Sequence, residues 1–184
     1  MSQPQQEQPQ GQQPAQPAQP GATAGPIDPK DVQWWMDQLN GTLKDVGGAI
    51  NQQSPAGASS WSNGFFDCFN PIDTCLLTWF CPCVTFGRTY HRLHKDAKLE
   101  GWQPVNASCL VSMFACCFPI AAQRAVIRAK YNLQGSCLED LLCGWCCGCC
   151  SIIQMDKEVE EKERLMKGDT QPYAPQTEMA YPSK

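Results

Sequence analysis

The residues best suited to chemistry are cysteines, and the first group of them surrounds a proline. Cys81 and Cys83 flank Pro82, and Cys75 precedes them on the same apolar stretch. Pro82 fixes the backbone between the two thiols and presents both in apolar surroundings. Thiolates are ligands that zinc, cadmium and copper(I) prefer, so this arrangement is compatible with a soft-metal site.

A second group of cysteines lies near the end of the apolar part of the chain. Its members are Cys143, Cys146, Cys147, Cys149 and Cys150. If this segment is helical, every member except Cys149 falls on one face, because residues three and four apart are neighbours on a helix. That face could close a thiolate site together with Cys81 and Cys83.

Other uses of these thiols stay open. The Cys-x-Cys spacing differs from the Cys-x2-Cys of zinc fingers, and no clean second pair lies at finger distance. Buried inert thiols, disulfides and acylated cysteines are therefore alternatives to a metal site. Nucleophilic catalysis would need a base held beside a cysteine and oriented by a third group, and no motif specifies such a trio. We expect no enzymatic activity.

Charge and cysteine distribution exclude further classes of protein. The formal charge is -4 and no dense block of Lys and Arg is present, so we expect no nucleic-acid partner. All 13 cysteines lie between Cys68 and Cys150, and the number is odd. The polar N-terminus lacks the order of a secretory signal, so we expect thiols that face the cytosol and are mostly reduced.

The elements that must position these cysteines follow from composition. We predict a mainly α protein, in which a small cysteine-rich module of short apolar helices is flanked by disordered tails. The predicted segments are a Gln/Pro-rich tail (1–27), an amphipathic helix (28–50), a linker (51–60), the cysteine-rich module (61–154), a charged, solvated helix (155–167) and a second tail (168–184).

The amphipathic helix has a recognisable start and two possible roles. Asp28 can cap it, and Pro29 suits the first helical position. Apolar residues then recur at spacings of three and four. Such a helix either packs on the module or, because Trp34 and Trp35 suit an interface, lies on a membrane surface or binds a partner.

Three uncharged apolar stretches, at residues 74–87, 101–123 and 141–155, suggest contact with a membrane. A spanning helix needs about 20 apolar residues, and none of these stretches comfortably provides it. Basic residues after the first two stretches would prefer an anionic cytosolic lipid surface, which favours a re-entrant or surface-lying arrangement. These residues are Arg88, His91, Arg92, His94, Lys95 and Lys98, and then Arg124, Arg128 and Lys130. A soluble helical core is the alternative.

Several short motifs occur along residues 61–165. They are Trp61-Ser62-Asn63-Gly64, Cys75-Leu76 with Cys81-Pro82-Cys83, Phe86-Gly87-Arg88, the run from Arg128 to Ser136, and Asp140, Cys146, Cys147, Cys150 and Gln154. By these motifs the sequence resembles the placenta-specific-eight family, which includes onzin, cornifelin, the plant cadmium-resistance proteins and the cell-number regulators.

The resemblance implies a small protein at the plasma membrane, with cytosolic termini, linked in plants to cadmium and zinc export and to organ size. Carried over by position, the metal-ligand candidates are Cys75, Cys81, Cys83, Cys146, Cys147 and Cys150. The accompanying motif residues are Pro82, Gly87, Arg88, Asp140 and Gln154.

Our leading hypothesis is a membrane-associated protein that binds or helps export soft divalent metals such as zinc and cadmium, with membrane lipids as partners and homo-oligomers supplying any pathway. The alternative is a non-catalytic adaptor, at the membrane surface or in the cytoplasm, that has a structural cysteine core and recruits other proteins. A redox or acylation switch at residues 143–150 is a third hypothesis.

Overall fold

A computed structural model describes residues 27–115 and 117–168, and within them the fold is helical, which confirms the mainly α class. The predicted tails lie outside the described residues, apart from Ile27 and Gly168. The helices are α1 (Pro29–Lys44), α2 (Val46–Asn51), α3 (Ile72–Phe80), α4 (Pro82–His94), α5 (Ala107–Ala115), α6 (Cys117–Tyr131), α7 (Cys137–Cys146) and α8 (Gly148–Met166), and a single 3-10 turn covers Asp67–Phe69.

The module consists of three helix pairs, each a short apolar helix followed by a longer and more polar one. The pairs are α3 with α4, α5 with α6, and α7 with α8. In the first pair, Cys81 separates the two helices and Pro82 starts α4, where its missing N–H costs nothing. In the third pair, Cys147 separates them. The helix breaks therefore coincide with the cysteine-rich sequences.

The core lies where the polar helices of the three pairs meet. Helix α8 contacts α3, α4, α6 and α7, and it is the element around which the others assemble. The side chains of the main core cluster are Trp35, Phe86, Tyr90, Leu93, Ile120, Ile127, Leu133, Ile152, Met155 and Val159. They come from helices α1, α4, α6 and α8 and from the loop after α6.

Helix α8 differs from the charged, solvated helix predicted for residues 155–167. It begins at Gly148 and is buried along one face, where Met155 and Val159 join the core. Glu158 is also buried, and the Ser62 N–H and hydroxyl donate to its carboxylate at 2.7 and 3.0 Å. A buried carboxylate is tolerable when hydrogen bonds satisfy it. The Trp61-Ser62-Asn63-Gly64 motif thus fastens the start of the module to α8.

Helix α1 packs on the module through Trp35, whereas Val32, Leu39 and Leu43 of its apolar face are exposed. The side chain of Trp35 is buried against Phe86 and Tyr90, and its indole N–H donates to Ser108 Oγ at 3.0 Å. The helix starts as the sequence indicates, with Pro29 in its first turn and Asp28 accepting from the Lys30 N–H. It ends at Lys44, and a separate short helix, α2, follows.

The three apolar stretches are divided among separate helices. Over the residues that the structure describes, no helix combines the length and the apolar character required to cross a bilayer. Helix α3 covers part of the first stretch and α5 part of the second, and each has nine residues, far fewer than the roughly 20 that a span needs. The third stretch is divided between the end of α7 and the start of α8.

Candidate functional site

The Cys81-Pro82-Cys83 motif lies at the start of α4, beside a cysteine of α5. Cys81 is exposed and Cys83 is half-buried, whereas Cys109 is buried. Burial raises the pKa of the Cys109 thiol to about 12, and a hydrogen bond with the Cys83 thiol adds to the effect. Cys109 therefore stays protonated near neutral pH, and this group offers two accessible thiols and one buried thiol.

A second group of sulfur atoms surrounds the junction between α7 and α8. Cys147 and Cys150 form a disulfide across this junction. The Sγ atom of Cys68, in the 3-10 turn, lies 3.1 Å from Cys150 Sγ. Cys75, in α3, packs against the same cluster, and Cys149 Sγ lies 3.8 Å from the carbonyl oxygen of Thr78.

The cysteines predicted from sequence are thus divided between two places. Cys75 joins Cys147 and Cys150, whereas Cys83 neighbours Cys109, and Cys146 is exposed at the end of α7. In the part of the chain that the structure describes, with the disulfide closed, no three His, Cys, Asp or Glu side chains are arranged to hold a metal ion. Sequence reasoning missed Cys68 and Cys109 because both lie outside the recognised motifs.

The motif residue Asp140 is the centre of a buried ionic network. Its carboxylate accepts from Arg124 Nε at 3.2 Å and from Arg128 Nε at 2.7 Å. Gln154 extends the network, since its Oε1 accepts from Arg124 at 2.8 Å while its Nε2 donates to the Asn63 carbonyl at 2.8 Å. These residues join α6, α7 and α8 to the turn that opens the module. Their role in this structure is to hold the helix pairs together.

A second ionic network involves the motif residue Arg88. Asp156 of α8 accepts from Arg88 at 2.6 Å, from Arg92 at 3.1 Å and from the Thr89 hydroxyl at 3.0 Å. The carboxylate of Asp156 is buried. From the sequence, the two basic segments are expected to face anionic lipid. Instead, Arg88 pairs with Asp156 and Arg124 pairs with Asp140 inside the protein. The arginines of both segments form internal ion pairs, with acidic partners that lie between 12 and 68 residues away in sequence.

Gly87 allows helices α4 and α5 to approach closely. A Cβ atom added there would lie 2.7 Å from both terminal atoms of the Asn106 side chain. Asn106 is not free to move away, because its Oδ1 accepts from the Cys109 N–H at 2.9 Å and its Nδ2 donates to the Gln103 carbonyl at 3.0 Å. Asn106 caps α5, so Gly87 preserves the position of the helix that carries Cys109.

We expect Gly87→Ala to lower the free energy of unfolding by about 1–3 kcal/mol, through overpacking and a disturbed cap. Urea denaturation followed by tryptophan fluorescence measures this change. Gly41→Ala is the matched control, because Gly41 lies in α1 with open space around its Cα, and alanine there should stabilise by about 0.5–1 kcal/mol. Equal effects at both positions would contradict the argument from close approach.

The ends of the three short helices carry exposed aromatic residues. Trp79 and Phe80 end α3, Phe114 lies at the end of α5, and Trp145 lies at the end of α7, all between 72% and 87% exposed. The ends are neighbours, since Thr78 contacts Cys149 and Gly144 faces Ile120 near the start of α6. We call this surface the aromatic end. Clustered exposed apolar side chains are typical of interaction sites.

The chain is similar to one protein family and to proteins from two plants. The family model described as PLAC8 family matches residues 61–158. Protein PLANT CADMIUM RESISTANCE 2 from Arabidopsis thaliana is 30% identical over 109 residues, which cover 59% of this chain and 72% of the relative. Cell number regulator 10 from Zea mays is 33% identical over 109 residues, covering 59% of this chain and 69% of the relative. No solved structure gives a significant match.

Proposed function

Because the chain belongs to the PLAC8 family, we propose that it is a membrane-associated, cysteine-rich protein that binds or helps export soft divalent metals such as cadmium and zinc. The observation that carries this proposal is the convergence of cysteines from separate helices next to the exposed aromatic end. We propose that the chain does this without catalysing a reaction, since thiolates bind soft metal ions without any chemical step.

The first support is the chemistry of the two sulfur groups. Cys68, Cys75, Cys147 and Cys150 lie together although they are separated by up to 82 residues in sequence. Cys83 and Cys109 come together in the same way from α4 and α5. Thiolates that converge from different elements are a favourable arrangement for soft metals, because the fold holds the ligands close before the metal arrives. Two relatives carry cadmium resistance in their names.

The second support is the aromatic end, which is suited to the interfacial layer of a bilayer. Its tryptophans, Trp79 and Trp145, belong to a residue type enriched at membrane interfaces. Residues 74–87 and 141–155, which supply this surface, contain no charged side chain. Shallow insertion of short helix ends needs no spanning helix. We propose binding to the plasma membrane with both termini in the cytosol.

Export is a step beyond binding. A bound ion can cross a bilayer only along a path lined by protein or water. We propose that a homo-oligomer lines this path, whereas binding alone requires only a single chain.

A second candidate function is a non-catalytic adaptor at the membrane surface. Two observations favour it. Burial raises the thiol pKa values of Cys68 and Cys109. In addition, Cys147 is closed in a disulfide with Cys150. Such cysteines are less reactive and can be purely structural. In that case the aromatic end would bind the membrane or a partner protein without any metal.

We expect cells that express the chain to lose cadmium at a different rate from cells with an empty vector. Cellular cadmium is measured over time after loading, for the wild type and for a Cys81→Ser, Cys83→Ser variant at matched membrane abundance. Faster loss would indicate export, and greater retention would indicate sequestration. A Cys117→Ser variant controls for general loss of a thiol. Indistinguishable curves for wild type and vector would overturn metal handling and favour the adaptor.

A further inference from the structure

We propose that Cys68, Cys147 and Cys150 form a soft-metal site that becomes available when the Cys147–Cys150 disulfide is reduced. The proposal rests on the function proposed above, and it adds both the location of the site and the condition that opens it. Cys68 is the ligand that no sequence motif identifies.

The three sulfur atoms lie close together. Cys68 Sγ lies 3.1 Å from Cys150 Sγ, which is covalently joined to Cys147 Sγ. In a tetrahedral zinc–thiolate site with Zn–S bonds of about 2.3 Å, neighbouring sulfurs are roughly 3.8 Å apart. After reduction, Cys68 and Cys150 would therefore need to separate by less than about 1 Å to accept an ion.

The position of Cys68 does not depend on the disulfide alone. The Lys157 ammonium of α8 donates to the carbonyl oxygens of Asp67 and Asn70 at 3.3 and 2.9 Å, on either side of Cys68. Within the loop, the Asp67 carboxylate accepts from the Gly64 N–H at 2.8 Å. The Lys157 bonds attach the 3-10 turn to α8, so the two remain together when Cys147 and Cys150 separate.

The surroundings of the three sulfur atoms are largely apolar. Cys68 and Cys150 are buried with Ile153, and Phe65 and Cys75 pack against them. Water is therefore largely excluded, which strengthens bonds between thiolates and a metal. Cys75 is placed to supply a fourth sulfur.

The chemistry balances in two steps. A cytosolic dithiol donates two electrons and two protons to the Cys147–Cys150 disulfide, which becomes two thiols while the dithiol becomes a disulfide. A divalent metal ion then replaces the protons of the Cys68, Cys147 and Cys150 thiols, and these three protons pass to solvent. Oxidation by the reverse of the first step would expel the metal. Cadmium or zinc would thus be held in a reducing compartment and released in an oxidising one.

The test measures cadmium binding to the purified full chain in detergent, in the reduced state and after reoxidation of the disulfide. We expect the reduced wild type to bind cadmium, seen as thiolate-to-cadmium absorption in the ultraviolet and as metal retained per chain. Reoxidation and Cys68→Ser should each weaken binding by at least about tenfold, because each removes direct ligands. The matched control Cys137→Ser should bind nearly as the wild type does.

The outcomes separate this site from the broader proposal. Unchanged binding by Cys68→Ser, or loss of binding confined to the Cys81→Ser, Cys83→Ser variant, would overturn the site but leave metal binding by the chain intact. No cadmium on the wild type in either state would overturn both. Should Cys68→Ser fail to fold, judged by circular dichroism, Cys147→Ser replaces it. Its binding should be weak in both redox states, and wild-type binding by it would refute the site.

Discussion

Replacing Asp140 by asparagine is expected to lower the free energy of unfolding by about 4 kcal/mol. Asp140 is 1% exposed and lies between Arg124 and Arg128, whose side chains are 3% and 5% exposed. Without the carboxylate, two guanidinium groups would stay buried with no negative charge beside them, and removing one partner of a buried pair typically costs about 3–5 kcal/mol. The remaining partners are neutral and compensate only in part; they are Ser151, Gln154, Ser54, the Gly135 carbonyl and the Trp61 ring.

Urea denaturation of the Asp140→Asn variant, followed by tryptophan fluorescence, measures this effect. The neighbouring Glu139→Gln is the matched control, because Glu139 is exposed on the same helix turn and should change stability by no more than about 0.5 kcal/mol. A loss below about 1 kcal/mol for Asp140→Asn would show that the arginines reach water by another route. The network would then not hold the helix pairs together.

The second large effect is expected for Asp156→Asn, at about 3 kcal/mol. Asp156 pairs with Arg88 and Arg92 and accepts from Thr89. The loss should be smaller than at Asp140, because the side chains of Arg88 and Arg92 are 19% and 10% exposed and water can partly solvate them. Two arginines of α4 would nevertheless lose their shared partner on α8, and these helices form a principal contact of the fold.

Glu160→Gln supplies the comparison for this prediction. Glu160 binds the same Arg92 at 3.0 Å, but its side chain is 35% exposed. Because exposed ion pairs contribute about 0–1 kcal/mol, its loss should be small. Thermal or urea denaturation of both variants therefore tests whether burial, rather than the number of ion pairs, decides the stability of the α4–α8 contact. Similar losses for the two variants would contradict this account.

Local features of the structure were predictable because local chemistry determines them. The start of α1 follows from Asp28 and Pro29, a cap and a first-turn proline that act within one helical turn. The mainly helical class follows from the spacing of apolar residues and from short uncharged stretches. The break at Cys81-Pro82 follows from the geometry of proline. Each of these needs only neighbouring residues.

Features that depend on distant partners were not predictable. The charges of α8 indicate a solvated helix, yet Glu158 is buried because Ser62, 96 residues away in sequence, satisfies it. The basic residues after the first apolar stretch indicate a lipid-facing segment, yet Arg88 is paired with Asp156. Cys68 gains its significance only from Cys150, which lies 82 residues later. In each case the pairing requires the tertiary fold.

Helix α1 and the segment after it show that the unit recognised by sequence and the unit that folds have different ends. The family match begins at residue 61, but Trp35 covers Phe86 and Tyr90, and the Ser54 hydroxyl accepts from Arg128 and donates to the Leu133 carbonyl. An excised match would expose two aromatic rings and leave a buried arginine with one partner fewer. Exchanging N-terminal regions between relatives would therefore replace a layer of the core rather than an appendage.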